Sequence, residues 1–359
     1  MGILFSVCGF WRNTESDDIL EIQYSFAERK GIVKMRKVIL DCDPGHDDAF
    51  AIMLAAQHFD LLGVTTVGGN GTLENVTRNA LVVLEQIGKT DIPVFPGHAG
   101  PSTHELVTAP NVHGKSGLDG PVVSPPRRKP ETKHAVDFIV DTVMNNDDVT
   151  LIATGPLTNI AAALNREPEI SKKASGLYIM GGGAYAGNWT AAAEFNIWVD
   201  AEAAYKVFHS GIDLHMVGVN LTRECPVDSA FIDRLRGIGN HTGEFCAQLC
   251  DFFSKGGDAH LHDACAVAWL IDPSLIESAY LHVDIELNGL LTRGMTVTDL
   301  RFLQTTKPDA DIDLTSTARW DDPEEGSPFR GKAPNTYVAF RLDYEGFCKL
   351  LTKTIANYP

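Results

Sequence analysis

Residues Lys37-Val38-Ile39-Leu40-Asp41-Cys42-Asp43-Pro44-Gly45-His46-Asp47-Asp48-Ala49 decide how this chain is read. Val38-Ile39-Leu40 is a short apolar run of the kind that forms a buried strand. Pro44-Gly45 then forces a turn. From 47 to 59 the apolar positions Phe50, Ile52, Met53 and Leu54 read as a helix. Asp41, Asp43, Asp47 and Asp48 are therefore folded back on one another where a strand ends and a helix begins. A helix N-terminus favours negative charge, but four carboxylates at close range repel and need retained protons or a cation. Hard oxygen donors with no adjacent Cys/His pair suit Ca²⁺ or Mg²⁺ rather than zinc. A solvated acidic N-cap explains two aspartates, not four around Pro-Gly. An EF-hand loop requires Glu at its twelfth position. That position is Ile52 counted from Asp41 and Leu54 counted from Asp43.

Outward from this segment, strand and helix patterns alternate. Residues 61–67, 92–95, 149–153, 176–180 and 214–219 read as strands. Residues 73–87, 134–144, 159–164, 201–208 and most of 228–257 read as helices, and another helix starts at His262. The tail from Leu281 mixes strands with a polar stretch at 307–327. Such alternation implies an α/β fold: a Rossmann-like open, mostly parallel sheet flanked by helices, in a single large domain. Asp43, Asn70, Thr154, Gly181 to Gly183 and Asn220 all fall just past strand C-termini, the edge where open parallel sheets bind ligands. The long connection at 97–133 is rich in Gly, Pro, Ser and His, and long loops in compact domains are often functional.

Composition narrows the partners. The chain has 359 residues, 44% of them hydrophobic, which is enough to bury a full core. Its net charge of −17 gives no counterion release on a nucleic acid, so no nucleic-acid partner is expected. Seven cysteines with no CxxC pair support neither a disulfide framework nor a zinc ribbon, and a reducing, cytoplasmic setting fits better. No run of eighteen apolar residues is present, so no transmembrane segment is expected. Residues 1–34 differ in texture and read as a poorly ordered N-terminal extension. Within them Gly2, Ser6 and Cys8 match a lipidation pattern, so membrane tethering through Gly2 and Cys8 is a minor alternative.

Two distant segments add polar groups. His262-Asp263 follows Gly256-Gly257 and opens a helix, so Asp263 is a third candidate metal ligand. His262 beside it has an unperturbed pKa near neutrality and suits protonation of a leaving group. Asn188, Glu194 and Asn196 suit the hydroxyls of a sugar.

These residues carry a resemblance. The motifs 41–49, 65–70 (Thr-Thr-Val-Gly-Gly-Asn), 112–114 (Val-His-Gly), 154–159 (Thr-Gly-Pro-Leu-Thr-Asn), 180–182, 194–196 (Glu-Phe-Asn) and 262–263 occur in the order seen in the inosine-uridine preferring nucleoside hydrolases. The chain resembles that family from about Met35 to its end, which makes 35–359 the hydrolase domain and 1–34 an addition to it. The resemblance implies Ca²⁺-dependent hydrolysis of the N-glycosidic bond of ribonucleosides, with one Ca²⁺ per subunit. It implies Asp43, Asp48, Asp263 and the Thr154 carbonyl as metal ligands, with Asp43 also the general base for water. It places Asp47, Asn70, Met180, Asn188, Glu194 and Asn196 on the ribose, and His113 and His262 near the base. A homodimer or homotetramer is implied as well.

The two histidines favour the broad or pyrimidine-leaning branch, and Trp269 reads as core rather than as a base-stacking residue. The segment 252–261, where base selectivity is set, maps to no known specificity. His46 stands where the family varies and is commonly apolar, a bystander position. Two rivals stand beside this reading: an Asp-x-Asp Mg²⁺ phosphatase built on Asp41 and Asp43, and a catalytically silent protein that binds nucleoside or Ca²⁺.

Overall fold

β1 (Lys37–Cys42) is buried on both faces, and its side chains alternate between two cores. Val38, Leu40 and Cys42 enter one, while Ile39 enters the other. That is the period-2 geometry of a strand covered by helices on both sides. The computed structural model describes residues 35–257, 259–303 and 332–359. The readings for 1–34 and for the polar stretch 307–327 lie outside the described residues.

Beside β1 stand β2 (Asp60–Thr66), β3 (Val94–Pro96), β4 (Val149–Ala153), β5 (Leu177–Met180) and β6 (Leu214–Val217). The tail adds β7 (Ile276–Leu281), a short antiparallel pair of β8 (Val283–Ile285) and β9 (Thr296–Thr298), and β10 (Thr336–Leu342). The main sheet runs β3-β2-β1-β4-β5-β6-β10-β7 and is parallel except for β7, which pairs antiparallel with β10. The first six strands stand in the doubly wound order, so the chain reverses direction across the sheet between β1 and β4. Asp41 of β1 lies opposite both Thr65 and Ala153 in register. The residues that follow, Asp43, Val67 and Thr154, consequently emerge together at the crevice where such sheets bind ligands.

Six helices matter most for the site: α1 (His46–His58), α2 (Leu73–Gln86), α3 (Val219–Thr222), α4 (His241–Phe253), α5 (His262–Ile271) and α6 (Tyr344–Ala356). α1 is apolar almost all round and buried from His46 to Ala56, the pattern of a helix packed on every side. α1, α2, α4, α5 and α6 share one core, with Phe50, Ile52 and Leu54 fully enclosed. Burying each of these side chains contributes about 1.5–3 kcal/mol. The opposite face is covered by helices Ala135–Asn145, Thr158–Arg166 and Ala201–Phe208. Trp269 lies in the core of α5 as its sequence position implies.

The α/β reading and the strands anticipated from the sequence agree with this architecture to within a few residues. Short helices at Pro110–His113 and Phe195–Val199, and all of α6, extend it. Among the described residues no helix is long and apolar enough to cross a membrane.

Candidate active site

Asp48 is the best-anchored carboxylate of the cluster. Gly45 N–H donates to its Oδ2 at 2.9 Å, closing the N-terminus of α1. The Thr154 hydroxyl donates to its Oδ1 at 2.9 Å. Asn70 Nδ2 reaches Oδ2 at 3.3 Å and the Asp43 carbonyl at 3.2 Å. Asn70 N–H donates to Asp43 Oδ2 at 2.6 Å. Two glycines complete the seat of Asp43. A Cβ on Gly69 would lie 2.1 Å from Asp43 Oδ2, and one on Gly155 would lie 2.7 Å from Oδ1.

Asp47, Asp48 and Asp263 each place one carboxylate oxygen within 4.8 Å of the others, and all three residues are buried. Asp47 Oδ1 and Asp43 Oδ1 are buried and have no hydrogen-bond partner among the described residues. Burial, then the Asp48 charge, pushes Asp47 up to about 7 and Asp43 well above the carboxylate range. Asp263 is raised by burial and then by Asp47 and Asp48. Asp48 is raised by burial against the pull of its donors. Four buried carboxylates that cannot all ionise together, with acceptor oxygens left over, fit a hard divalent cation coordinated by oxygen.

Above this cluster lies a cavity of about 600 Å³. Asp47, Asp263 and Thr154 reach its lining, whereas Asp43 and Asp48 sit behind it. Asn70, His113, Met180, Asn188, Glu194, Asn196 and His262 also line it, so the anticipated residues do converge from seven distant segments. Part of their hydrogen-bonding capacity is spent on the protein itself. Asn196 Nδ2 donates to the carbonyls of Thr154 at 2.8 Å and Met180 at 3.1 Å. Asn188 Oδ1 accepts from Phe195 N–H at 2.9 Å. Glu194 caps the helix Phe195–Val199, accepting from Asn196, Ile197 and Gly182 N–H, and burial still pushes it up to about 7.

His262, anticipated as the group that protonates the leaving base, lines this cavity. Burial, with His260 and Arg223 nearby, pushes its imidazole down to about 3, so near neutral pH it is a neutral hydrogen-bonding group. His46 is likewise no bystander. It is buried, its Nε2 lies 2.8 Å from the Asp119 carbonyl, and its N–H donates to His113 Nδ1 at 3.3 Å. Its ring stacks near-parallel on Phe252, Phe253 and His113. Asp41 is fully buried; its Oδ1 accepts from Thr65 at 2.6 Å and Asn159 at 2.8 Å, while its Oδ2 has no hydrogen-bond partner among the described residues. Enclosed there and outside the cavity lining, it is not a phosphatase nucleophile.

Sequence reasoning missed Thr222, whose hydroxyl contacts His262 Nδ1 at 2.6 Å, and Arg223, which donates to the Gly187 carbonyl at 2.9 Å. It also left Phe252 and Phe253 without a role.

The family model for inosine-uridine preferring nucleoside hydrolases matches residues 38–349. The chain belongs to that family. The pyrimidine-specific ribonucleoside hydrolase RihA of Photobacterium profundum is 42% identical over 90% of this chain and 99% of its own length. RihA of Citrobacter koseri is 43% identical over 89% and 98% respectively. A solved plant nucleoside hydrolase superposes on this nucleoside hydrolase with a TM-score of 0.77 at 31% identity, covering 90% of this chain and 99% of the other. An inosine-guanosine nucleoside hydrolase gives the same TM-score at 30% identity, with the same coverage. The chain is thus an N-glycosidic hydrolase by family, and the silent-binder reading has no support in these comparisons.

Proposed function

We propose that this nucleoside hydrolase cleaves pyrimidine ribonucleosides to ribose and free base, with Ca²⁺ in the carboxylate cluster. One observation carries the reading: Asp47, Asp48 and Asp263 converge, buried, beneath a cavity of nucleoside size. Asp48 and Asp263 would hold the ion, with Asp43 and the Thr154 carbonyl completing an all-oxygen set. Bound there, a divalent cation neutralises the carboxylates and lowers the cost of deprotonating the attacking water.

The protein groups divide the remaining work. Breaking the C1′–N bond leaves positive charge on the ribose, and the cluster beneath it stabilises that charge. Asp43 Oδ1, free of donors and clamped by Gly69 and Gly155, is placed to accept a proton from water. Asp47, Asn70 and Met180 line the cavity, where Asp47 and Asn70 would meet the sugar hydroxyls and Met180 the face of the ring. His113 and His262 present neutral imidazoles to the base, alongside Phe252 and Phe253. Direct attack by water gives inversion at C1′, since no carboxylate acts as nucleophile.

The pyrimidine assignment rests on the RihA relatives and on the two histidines. A cytoplasmic setting belongs to the same reading, supported by six buried free cysteines among the described residues, and the homo-oligomeric state rests on the family resemblance alone. A reducing-sugar assay on uridine, cytidine and inosine tests the substrate class. Higher kcat/KM on the two pyrimidines is expected, and a preference for inosine overturns the base assignment. Asp43→Ala should lower kcat by at least ~10³-fold, and unchanged turnover would remove Asp43 from the chemistry.

A further inference from the structure

Thr222 ends α3 and is fully enclosed. Its hydroxyl lies 2.6 Å from His262 Nδ1, across 40 residues of chain. The backbones on either side are locked independently of this contact. Leu261 N–H donates to the Cys225 carbonyl at 3.0 Å, and Val227 N–H to the Ala259 carbonyl at 2.8 Å. A bridge at Pro226 and His260 joins the same two segments. This short antiparallel ladder fixes where the main chain delivers His262. It leaves the ring free to rotate about its side-chain bonds, and Thr222 is the group that meets Nδ1.

We propose that Thr222 is a positioning residue for leaving-group departure: its hydroxyl donates to His262 Nδ1, which fixes the ring hydrogen on Nε2 and aims that N–H at the departing base. A neutral imidazole carries one hydrogen, and the hydrogen bond at one nitrogen decides which nitrogen holds it. With Nδ1 accepting from Thr222, the cavity side of the ring is a donor. A pyrimidine base leaving C1′ accumulates negative charge on N1 and its adjacent carbonyl oxygen, which is an acceptor. The interaction is a hydrogen bond that strengthens as the C1′–N bond lengthens, and no proton leaves the imidazole. A ring without the Thr222 contact samples the other tautomer and presents a lone pair to that same charge. The inference rests on the hydrolase reading above and adds to it which residue sets the donor.

The test pairs two substrates. Uridine needs help in expelling its base, whereas 4-nitrophenyl β-D-ribofuranoside expels a stabilised phenolate and needs none. Thr222→Val removes the hydroxyl and keeps the shape, and Thr222→Ser restores it. We expect Thr222→Val to lower kcat on uridine by ~30-fold or more with KM within about threefold, less than the ~10²–10⁴-fold of full general acid–base assistance because His262 itself is retained. Turnover of the nitrophenyl riboside should stay within about twofold, and Thr222→Ser should recover most of the uridine activity. Equal losses on both substrates would make the role merely structural and overturn the proposal, as would full uridine activity in Thr222→Val. If Val fails to fold, Thr222→Ala serves in the same comparison. Wild-type protein inactive on both substrates would instead sink the hydrolase reading itself.

Discussion

Thr154 Oγ1 donates to Asp48 Oδ1 at 2.9 Å across 106 residues of chain, joining the end of β4 to the first turn of α1. The bond spans the crevice where the sheet reverses direction. It orients one proposed metal ligand, Asp48, through a residue whose own carbonyl is proposed as another. Groups that orient metal ligands typically matter 10- to 100-fold in affinity. Thr154→Val, which keeps the carbonyl and the shape, should weaken Ca²⁺ binding by ~10-fold, measured by calorimetric titration. Unchanged affinity would mean that Asp48 needs no such orientation.

Metal-free protein should lose stability as pH rises. Asp47 has its pKa pushed from 3.8 to about 7 in the folded state, and Asp43, Asp48 and Asp263 move in the same direction. Between about pH 4 and 7 the folded chain therefore holds protons that the unfolded chain has released. Stability falls with pH wherever the native state binds more protons. Chelated protein should melt at higher temperature at pH 5.5 than at pH 8. Added Ca²⁺ should narrow this difference by stabilising most at pH 8, by ~2.7 kcal/mol at one hundred times its Kd. Differential scanning calorimetry reads both effects, and a chelated protein more stable at pH 8 would contradict the assignment of the cluster.

Gly69 is required by contact rather than by backbone angle. A Cβ there would lie 2.1 Å from Asp43 Oδ2 and 2.7 Å from Pro156 Cδ. Gly69→Ala should displace the Asp43 carboxylate and cost ~1–3 kcal/mol of stability, the usual range for overpacking. Activity should fall by more than ~10²-fold, because a misplacement of about 1 Å has that effect on reacting groups. Urea unfolding and a ribose-release assay on one preparation separate the two losses. Full activity in the alanine variant would show that Asp43 tolerates movement.

His46 joins the base side of the cavity to the loop at Asp119. His46→Leu leaves the Asp119 carbonyl without its imidazole partner and breaks a stack of near-parallel rings. A loss of ~1–3 kcal/mol in stability is expected from the lost hydrogen bond. KM for uridine should rise while the Ki of free ribose, as a competitive inhibitor, stays constant. Equal changes in both would place His46 under the sugar instead.

Much of this was legible in the sequence. Val38-Ile39-Leu40 before Asp41 marks a buried strand, and a strand ending in acids before Pro-Gly and a helix marks the ligand edge. Six of the seven motif segments reach the site because each follows a strand or opens a helix; the seventh, 112–114, is carried there by the end of the short helix Pro110–His113 in the long connection. What stayed hidden depends on contacts between distant segments. Thr222 and His262 meet only because an antiparallel ladder joins 225–227 to 259–261. His46 gains its place from Phe252, Phe253 and Asp119, none of them a sequence neighbour. α6 was overlooked although Phe347, Cys348, Leu351 and Ile355 mark one buried helical face, because the reading of the tail stopped at its polar stretch. The downward shift of the His262 pKa, which leaves the ring neutral, is a property of burial that no local motif records.

The central claim is that a divalent cation in the buried carboxylate cluster is needed for hydrolysis. Ribose release from uridine, measured on the same protein before chelation, after thorough chelation and after Ca²⁺ is restored, tests it most directly. The account predicts a fall of at least ~10³-fold on chelation and recovery with Ca²⁺. Undiminished turnover in the chelated protein would contradict it.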